Sequence, residues 1–442
     1  MDEGQKEGSR AGATGLGERL RRARQRLAAG TAGEGDGIPR RDPSVPVPLS
    51  AAQQRLYFLE QLLPGTPLFL LCRTQELIGR LDVGALAAAL EVVVARQEAL
   101  RTGFGSAEGA PAQLIEPALA LPLPVLDLSG LAAGDRVAER ARLEAREAAR
   151  PFDLSTPPLL RARLLRLEAG PPARHVLLWT VHHLVFDGWS FGVLFAELGR
   201  AYGERVAGGE PSRQPPAVGY GDYAAWQRGR LESSELAGSS PAAELGWWLE
   251  RLAGLEPLEL PSDRPRPAAR SLAGGQLEVR LDSALVSLLE DRGRAASASL
   301  FMVLLAAWTT VLARWSGAVD IAVGTPVAGR DRREVEELVG FFVNTVVLRS
   351  KVSAEVSLSA HLAGCREVAL ESFARGEVPF ARVVEAAAPE RGLSHAPLYQ
   401  VTLALQNAPS RALELAGCAP STPRVVARGL TDQDLTLALE PS

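Results

Sequence analysis

The spacing of polar and apolar positions along this chain changes period several times, and each change marks an element. Ser50 is placed to cap a helix carrying Gln53, Leu56, Tyr57 and Leu59. A strand-like run covers 68–79, and Asp82 opens a second helix with Leu86, Leu90 and Val93 along one side, ending before Gly103. Residues 159–167 and 175–181 run apolar like sheet members, the second short and rich in β-branched side chains, as in a buried strand. From Trp189 onward, Phe191, Leu194, Phe195 and Leu198 recur at helical spacing, with Asp187 as the predicted cap.

Two stretches rich in Pro and Gly, 205–218 and 256–275, flank an aromatic helical piece with Tyr220, Tyr223, Trp226, Trp247 and Trp248, and a domain boundary is expected there. The aromatic cluster reads as packing of a helix between the two expected domains rather than as a ligand box. Beyond it the order starts again: a strand-like 276–281, a helix from Ser283, a buried helix over 298–315 and a strand over 320–324. Such mixing predicts an α/β chain of the α+β sandwich type. At 442 residues it is long for one core, so two domains are expected.

Composition narrows the function. A hydrophobic share of 46% and a net charge of −4 suit a globular protein and argue against a nucleic-acid binder, which would be strongly basic. Three scattered cysteines, Cys72, Cys365 and Cys418, do not form a disulfide framework, so a cytoplasmic location is expected. The N-terminus has no apolar signal core. The most hydrophobic stretch, 300–312, falls short of the roughly 20 residues a membrane span needs, so no membrane partner is expected. Five histidines without HExxH or CxxC spacing give no metal site. Residues 1–48 read as a disordered tail, except that Leu16, Leu20, Ala23 and Leu27, set among arginines, predict a short basic amphipathic helix over 16–29. That helix is either solvated and marginal or a docking element for an acidic partner.

The chemistry is concentrated at His182-His183-Leu184-Val185-Phe186-Asp187-Gly188, where a strand feeds a helix. Successive strand side chains face opposite ways, so one histidine can face a cleft while the other packs behind it. Gly188 allows close approach of backbone or substrate. A histidine beside an acid at such a junction is a candidate for proton transfer. His361 and His395 lack any such context and are expected at the surface.

Further motifs extend the picture. Ser50-Ala51-Ala52-Gln53-Gln54-Arg55-Leu56-Tyr57-Phe58-Leu59 and Arg96-Gln97-Glu98-Ala99-Leu100-Arg101-Thr102-Gly103-Phe104 precede the HHxxxDG string, which runs on into Trp189-Ser190. Tyr220 to Trp226, Gly324-Thr325-Pro326-Val327-Ala328-Gly329-Arg330, Gly340-Phe341-Phe342-Val343-Asn344-Thr345 and Val378-Pro379-Phe380 follow it. In this order the seven motifs resemble those of nonribosomal peptide synthetase condensation domains, in the superfamily of chloramphenicol acetyltransferase-like acyltransferases. Gln97 stands where the family usually has histidine, and the likeness covers roughly 49–440.

The resemblance implies two acyltransferase-like lobes in a V-shaped pseudo-dimer, an N-terminal one over 49–226 and a C-terminal one over 227–442, with a tunnel between them. Such domains usually continue by a strand and a helix after the strand-like 435–439, so the C-terminal lobe is expected to be truncated. The implied reaction is attack of a carrier-bound aminoacyl amine on a carrier-bound acyl or peptidyl thioester. The implied partners are donor and acceptor peptidyl carrier proteins bearing 4'-phosphopantetheine, and an upstream synthetase subunit that docks through the N-terminal helix. No cofactor is expected on the chain itself.

The family places the base on the second histidine, here His183. It leaves His182 packing or hydrogen-bonding behind the site, and gives Asp187 an ion pair with arginine, Arg330 as first choice and Arg101 as second. His182, Asp187 and Gly188 stay with His183 as the catalytic set. Ser190, Trp189 and Asn344 are candidates for the substrate wall, Trp189 also for packing, and Gln406 and Asn407 are candidates for the tunnel lining. His183 is either a general base or a group that positions the amine. Two other readings stay open: a stand-alone acyltransferase using coenzyme A or a carrier, and a non-catalytic domain that binds carrier proteins.

Overall fold

The computed structural model describes residues 37–232, 241–387, 394–406 and 412–440. The basic helix expected over 16–29, and with it the docking of an upstream subunit, lies outside the described residues, as does Asn407. In chain order the elements are β1 (Val47–Pro48), α1 (Ala51–Leu62), β2 (Leu70–Gly79), α2 (Val83–Arg96), β3 (Thr102–Ala107), β4 (Ala110–Ile115), β5 (Val125–Asp127), α3 (Ala133–Ala149), β6 (Leu160–Glu168), β7 (Arg174–His182) and α4 (Gly188–Val206). There follow α5 (Tyr220–Glu232), α6 (Pro241–Leu252), α7 (Ser283–Ala295), α8 (Leu300–Ser316), β8 (Asp320–Val327), β9 (Asn344–Lys351), α9 (Leu358–Ala374), α10 (Phe380–Ala387), β10 (Val401–Leu405), β11 (Cys418–Pro420), β12 (Arg424–Val425) and β13 (Leu435–Leu439).

The helix starts follow from their caps. Ser50 accepts from the Gln53 amide and Gln53 returns the bond, Asp82 accepts from Ala85, and Ser299 caps α8, which ends on Gly317 at φ 74°. The first sheet has strand order β11-β2-β7-β6-β5, with β12 also on the outer edge of β2. The second runs β13-β10-β8-β9, with β10 parallel to both β8 and β13. A small antiparallel sheet, β1-β4-β3, flanks the first.

Two apolar cores correspond to the two large sheets. The first gathers α2, α4, β7 and the aromatic rings of α5, and the second gathers Trp248 and Leu252 of α6 with α8, β8, β9 and β10. The change of core falls between α5 and α6, but the chain after it does not stay in the second lobe. Val335, Leu338, Val339 and Phe342 pack into the first core with Leu413 and Leu415, and β11 and β12 pair with β2. The expected 227–442 lobe therefore sends two excursions into its neighbour, and these build the site.

One predicted strand is absent. Residues 276–281 form no strand, and Leu277 and Val279 are 88% and 71% exposed. Alternation marks a segment that fits a half-buried sheet surface, but no described strand lies alongside it. Among the described residues no single helix is long and apolar enough to cross a membrane, and no group of three His, Cys, Asp or Glu side chains is arranged to hold a metal.

Candidate active site

Strand β7 ends at His182, a single 3-10 turn over His183–Val185 follows, and α4 begins at Gly188. Gln53 of α1 donates to the Leu184 carbonyl at 2.9 Å and fixes this turn. The two histidines then diverge. His182 is 2% exposed; its Nδ1 accepts from the Leu184 amide at 3.1 Å, so the proton sits on Nε2, which donates to Glu60 at 2.9 Å. Both nitrogens are used within the protein, so His182 supports the turn, and the structure gives it a positioning place rather than the open valence expected of a member of the catalytic set.

His183 has the opposite tautomer. Its Nδ1 lies 2.7 Å from the Phe186 carbonyl, which can only accept, so Nδ1 carries the proton. Nε2 has no hydrogen-bond partner among the described residues and presents a lone pair. The ring is half-buried and packs 4.8 Å from Phe341 of the opposite lobe. Burial pushes its pKa down to about 4; Asp187 and the Phe186 bond oppose the shift, while Arg428 and His182 add to it. The imidazole is therefore neutral at physiological pH.

Asp187 is fully buried and has no capacity left for proton transfer. Its Oδ1 accepts from the Ser190 amide at 2.8 Å, the Ser190 hydroxyl at 2.7 Å and Arg330 Nη2 at 3.0 Å, and its Oδ2 accepts from Arg330 Nη2 at 3.2 Å and the Phe342 amide at 3.2 Å. Arg330, with a side chain 1% exposed, spends Nη1 on the Val335 and Leu338 carbonyls at 2.6 and 2.7 Å. The pair thus clasps the excursion of the second lobe onto the start of α4. Arg101 is not part of it: its guanidinium donates to the carbonyls of Val94 and Glu116.

The three expected wall residues are occupied inside the protein. Ser190, fully buried, also reaches the Gly340 carbonyl at 3.0 Å and accepts from its amide at 3.1 Å. Trp189 donates to the Glu336 carbonyl at 3.0 Å. Asn344 donates to the Gly376 and Val378 carbonyls at 2.9 and 2.7 Å and accepts from Phe380 at 3.0 Å. Short polar side chains next to a motif are as easily claimed by backbone as by ligand. Gly188 is different: a Cβ there would meet only Gln406 Oε1, at 3.9 Å, so the N-terminus of α4 is left open toward the second lobe.

Gln97, in the place of the usual histidine, donates to Glu197 at 3.0 Å and to the Glu337 carbonyl at 3.1 Å while accepting from Val339 at 2.9 Å, another clasp on the same excursion. Tyr220 donates to the Phe341 carbonyl at 2.6 Å, and Tyr223 packs 4.7 Å from Phe342, so the aromatic helix seats the segment that carries Phe341. The two context-free histidines are not free surface groups. His361 is buried against Thr309 at 2.9 Å, because its helix turns that face toward α8, and His395 is half-buried and bonds Glu259 at 2.7 Å. Sequence reasoning missed Glu60 and Arg428. Arg428 holds the Leu68 and Leu70 carbonyls and lies within electrostatic range of His183.

Comparison with known proteins identifies the family. A family model described as "Condensation domain" matches residues 45–425. One of the linear gramicidin synthase proteins of Brevibacillus parabrevis is 44% identical over 362 residues, covering 82% of this chain and 7% of that protein. Phosphinothricin tripeptide synthetase PhsC of Streptomyces viridochromogenes is 39% identical over 382 residues, covering 86% of this chain and 34% of that protein. The chain thus spans only a small part of the length of these relatives. Among solved structures, the X-domain from teicoplanin biosynthesis superposes with a TM-score of 0.81 at 30% identity, covering 91% of this chain and 87% of that one. The same X-domain in complex with OxyB gives 0.79, again at 30% identity, over 91% and 86%. With a family match that spans residues 45–425, most of its length, the chain belongs to the condensation domain family.

Proposed function

We propose that the chain joins two tethered substrates within a nonribosomal peptide synthetase: the amine of a carrier-bound aminoacyl group attacks a carrier-bound acyl or peptidyl thioester. A C–N bond forms, the C–S bond breaks, and the amine's proton passes through His183 to the departing thiolate. The 4'-phosphopantetheine arms belong to the donor and acceptor peptidyl carrier proteins and enter with them. The observation that supports this most directly is the free Nε2 of His183, a neutral acceptor beside an open helix N-terminus.

The depressed pKa limits what that ring can do. A base of pKa about 4 cannot draw a proton from an α-ammonium of pKa near 8, since the transfer runs uphill by roughly 5 kcal/mol. The amine therefore reacts neutral, held by a hydrogen bond to Nε2. His183 takes the proton only after the C–N bond has formed, when the nitrogen has become strongly acidic. The developing oxyanion is favoured by the N-terminus of α4, uncovered at Gly188, where the helix dipole is positive. Asp187 contributes by keeping that terminus and the Phe341 segment in register.

The test is amide formation between two loaded carriers by wild type and His183→Ala. A fall of about 10²–10⁴-fold is expected; undiminished transfer in the variant would remove the proton-transfer role. Offering the same donor on coenzyme A in parallel separates a stand-alone acyltransferase, which would use it as well. One observation favours a second reading. The X-domain, solved in complex with OxyB, superposes closely on this chain, so a recruiting domain would show carrier binding without turnover, indifferent to position 183.

A further inference from the structure

The second lobe carries a cavity that the proposed reaction does not use. It measures about 240 Å³ and is lined by Thr325, Pro326, Thr345, Tyr399, Thr402, Asp432, Gln433 and Thr436, where β8, β9, β10 and β13 adjoin. Its walls mix apolar and polar surface, and the polar part is incompletely satisfied. Thr325 is 2% exposed, and neither its hydroxyl nor those of Thr402 and Thr436 has a hydrogen-bond partner among the described residues. Gln433 Oε1 is buried without a donor, and the Asp432 carboxylate pairs with no described cation. An unsatisfied buried polar atom is costly to keep. Gln433 Oε1, buried among hydroxyls and a carboxylate that no described group of the protein engages, indicates a partner that arrives from outside.

The position is close to the reaction. Phe341, against His183, is four residues from Thr345 on the cavity wall, a span of at most about 14 Å. Arg428 lies within electrostatic range of both His183 and Asp432. The backbone also keeps the cavity open. The Tyr399 ring lies directly on Gly324, where a Cβ would come within 2.3 Å of it, so a larger residue there would push the ring into the space.

Size and donor count decide the ligand. Sites for whole small molecules are typically about 300–1,000 Å³, so this one fits a side chain. Asp432 and Gln433 Oε1 can only accept, so they require N–H donors. Arg428 and, beside Tyr399, Arg55 keep the surroundings from being strongly anionic, so the donors need not carry charge.

Resting on the condensation reading, we propose that this cavity is a specificity subsite that takes the N–H-bearing end of a substrate side chain, a carboxamide or an ammonium group, with Asp432 and Gln433 as the accepting pair and the threonine hydroxyls as the complement.

The experiment uses glutamine, ornithine and norleucine, each loaded in turn on the acceptor and on the donor carrier, and non-hydrolysable amide analogues of the corresponding aminoacyl pantetheines for direct binding. Wild type is expected to favour glutamine or ornithine over norleucine by at least about 10-fold in one of the two positions. That lies well below the 10⁴–10⁵ of fully enclosed polar sites, because the cavity opens to solvent. Asp432→Ala, which breaks no bond within the protein, should bring that ratio to about unity, and Thr436→Val on the edge strand should lower it by a smaller factor. Equal binding of all three analogues at both positions, or a preference that survives both substitutions, overturns the subsite. Selective analogue binding without amide formation would uphold the subsite and instead count against the condensation reading.

Discussion

His182 and His183 are consecutive residues in opposite tautomers, and the contrast separates support from chemistry. The first donates from Nε2 to Glu60 and accepts at Nδ1 from Leu184, so nothing is left over. The second donates from Nδ1 to Phe186 and leaves Nε2 unused beside Phe341 of the other lobe. The Asp187–Arg330–Ser190 knot resembles the first case: every oxygen and both terminal nitrogens are occupied. At this turn the group left for a substrate is the one that combines an open valence with exposure: Arg330 Nε is also without a described partner, but it is buried.

The most forceful way to break that comparison is to open the knot. Asp187→Ala leaves a guanidinium buried at 1% exposure with no counter-charge and removes the cap of α4. Breaking such a pair costs about 3–5 kcal/mol. Urea unfolding should show a loss of that size, together with loss of amide formation. If stability were retained while activity fell, Asp187 would belong with His183 on the chemical side.

A second test uses pH. The unfolded His183 titrates near 6.5 and the folded one near 4, so between these values the unfolded chain binds more protons. Stability is complete above pH 6.5 and is lost as pH falls toward 4, by about 3 kcal/mol in all. Carboxylates titrate in the lower part of this window, so the quantity to measure is the difference between wild type and His183→Gln. That difference should shift in the variant's favour as the solution is acidified. A pH-independent difference would mean that the ring is not held neutral by burial.

Much of the site was legible because its signals are local. Asp187 and Ser190 have the spacing of a cap, and the apolar run before them is a buried strand. The two adjacent histidines were expected to face apart, and they do, but it is the turn after the strand, which holds His183, that separates them. What stayed hidden is long-range. Arg101 and Arg330 are equivalent by charge, and only the fold brings Arg330, 143 residues away, to Asp187. Glu60 meets His182 across 122 residues, and Asp432 acquires meaning only once four strands surround it. The misread 276–281 segment shows the converse. Its alternation is real, but pattern describes a surface and does not supply the strand that would cover it.

The finest test is at His182, where the comparison predicts a stability effect and no direct chemical one. His182→Ala removes the donor to Glu60 and the acceptor for the Leu184 amide, leaving two groups unpaired in a nearly closed space. A loss of about 1–3 kcal/mol is expected. His182→Gln can restore a donor to Glu60, so it should recover part of the stability. Amide formation should follow stability through this pair of variants, since the turn holding His183 is what His182 supports. His183 variants should do the reverse, losing far more rate than their change in stability accounts for. A His182→Gln protein as stable as wild type but as slow as His183→Ala would place both rings in the reaction and dissolve the distinction between them.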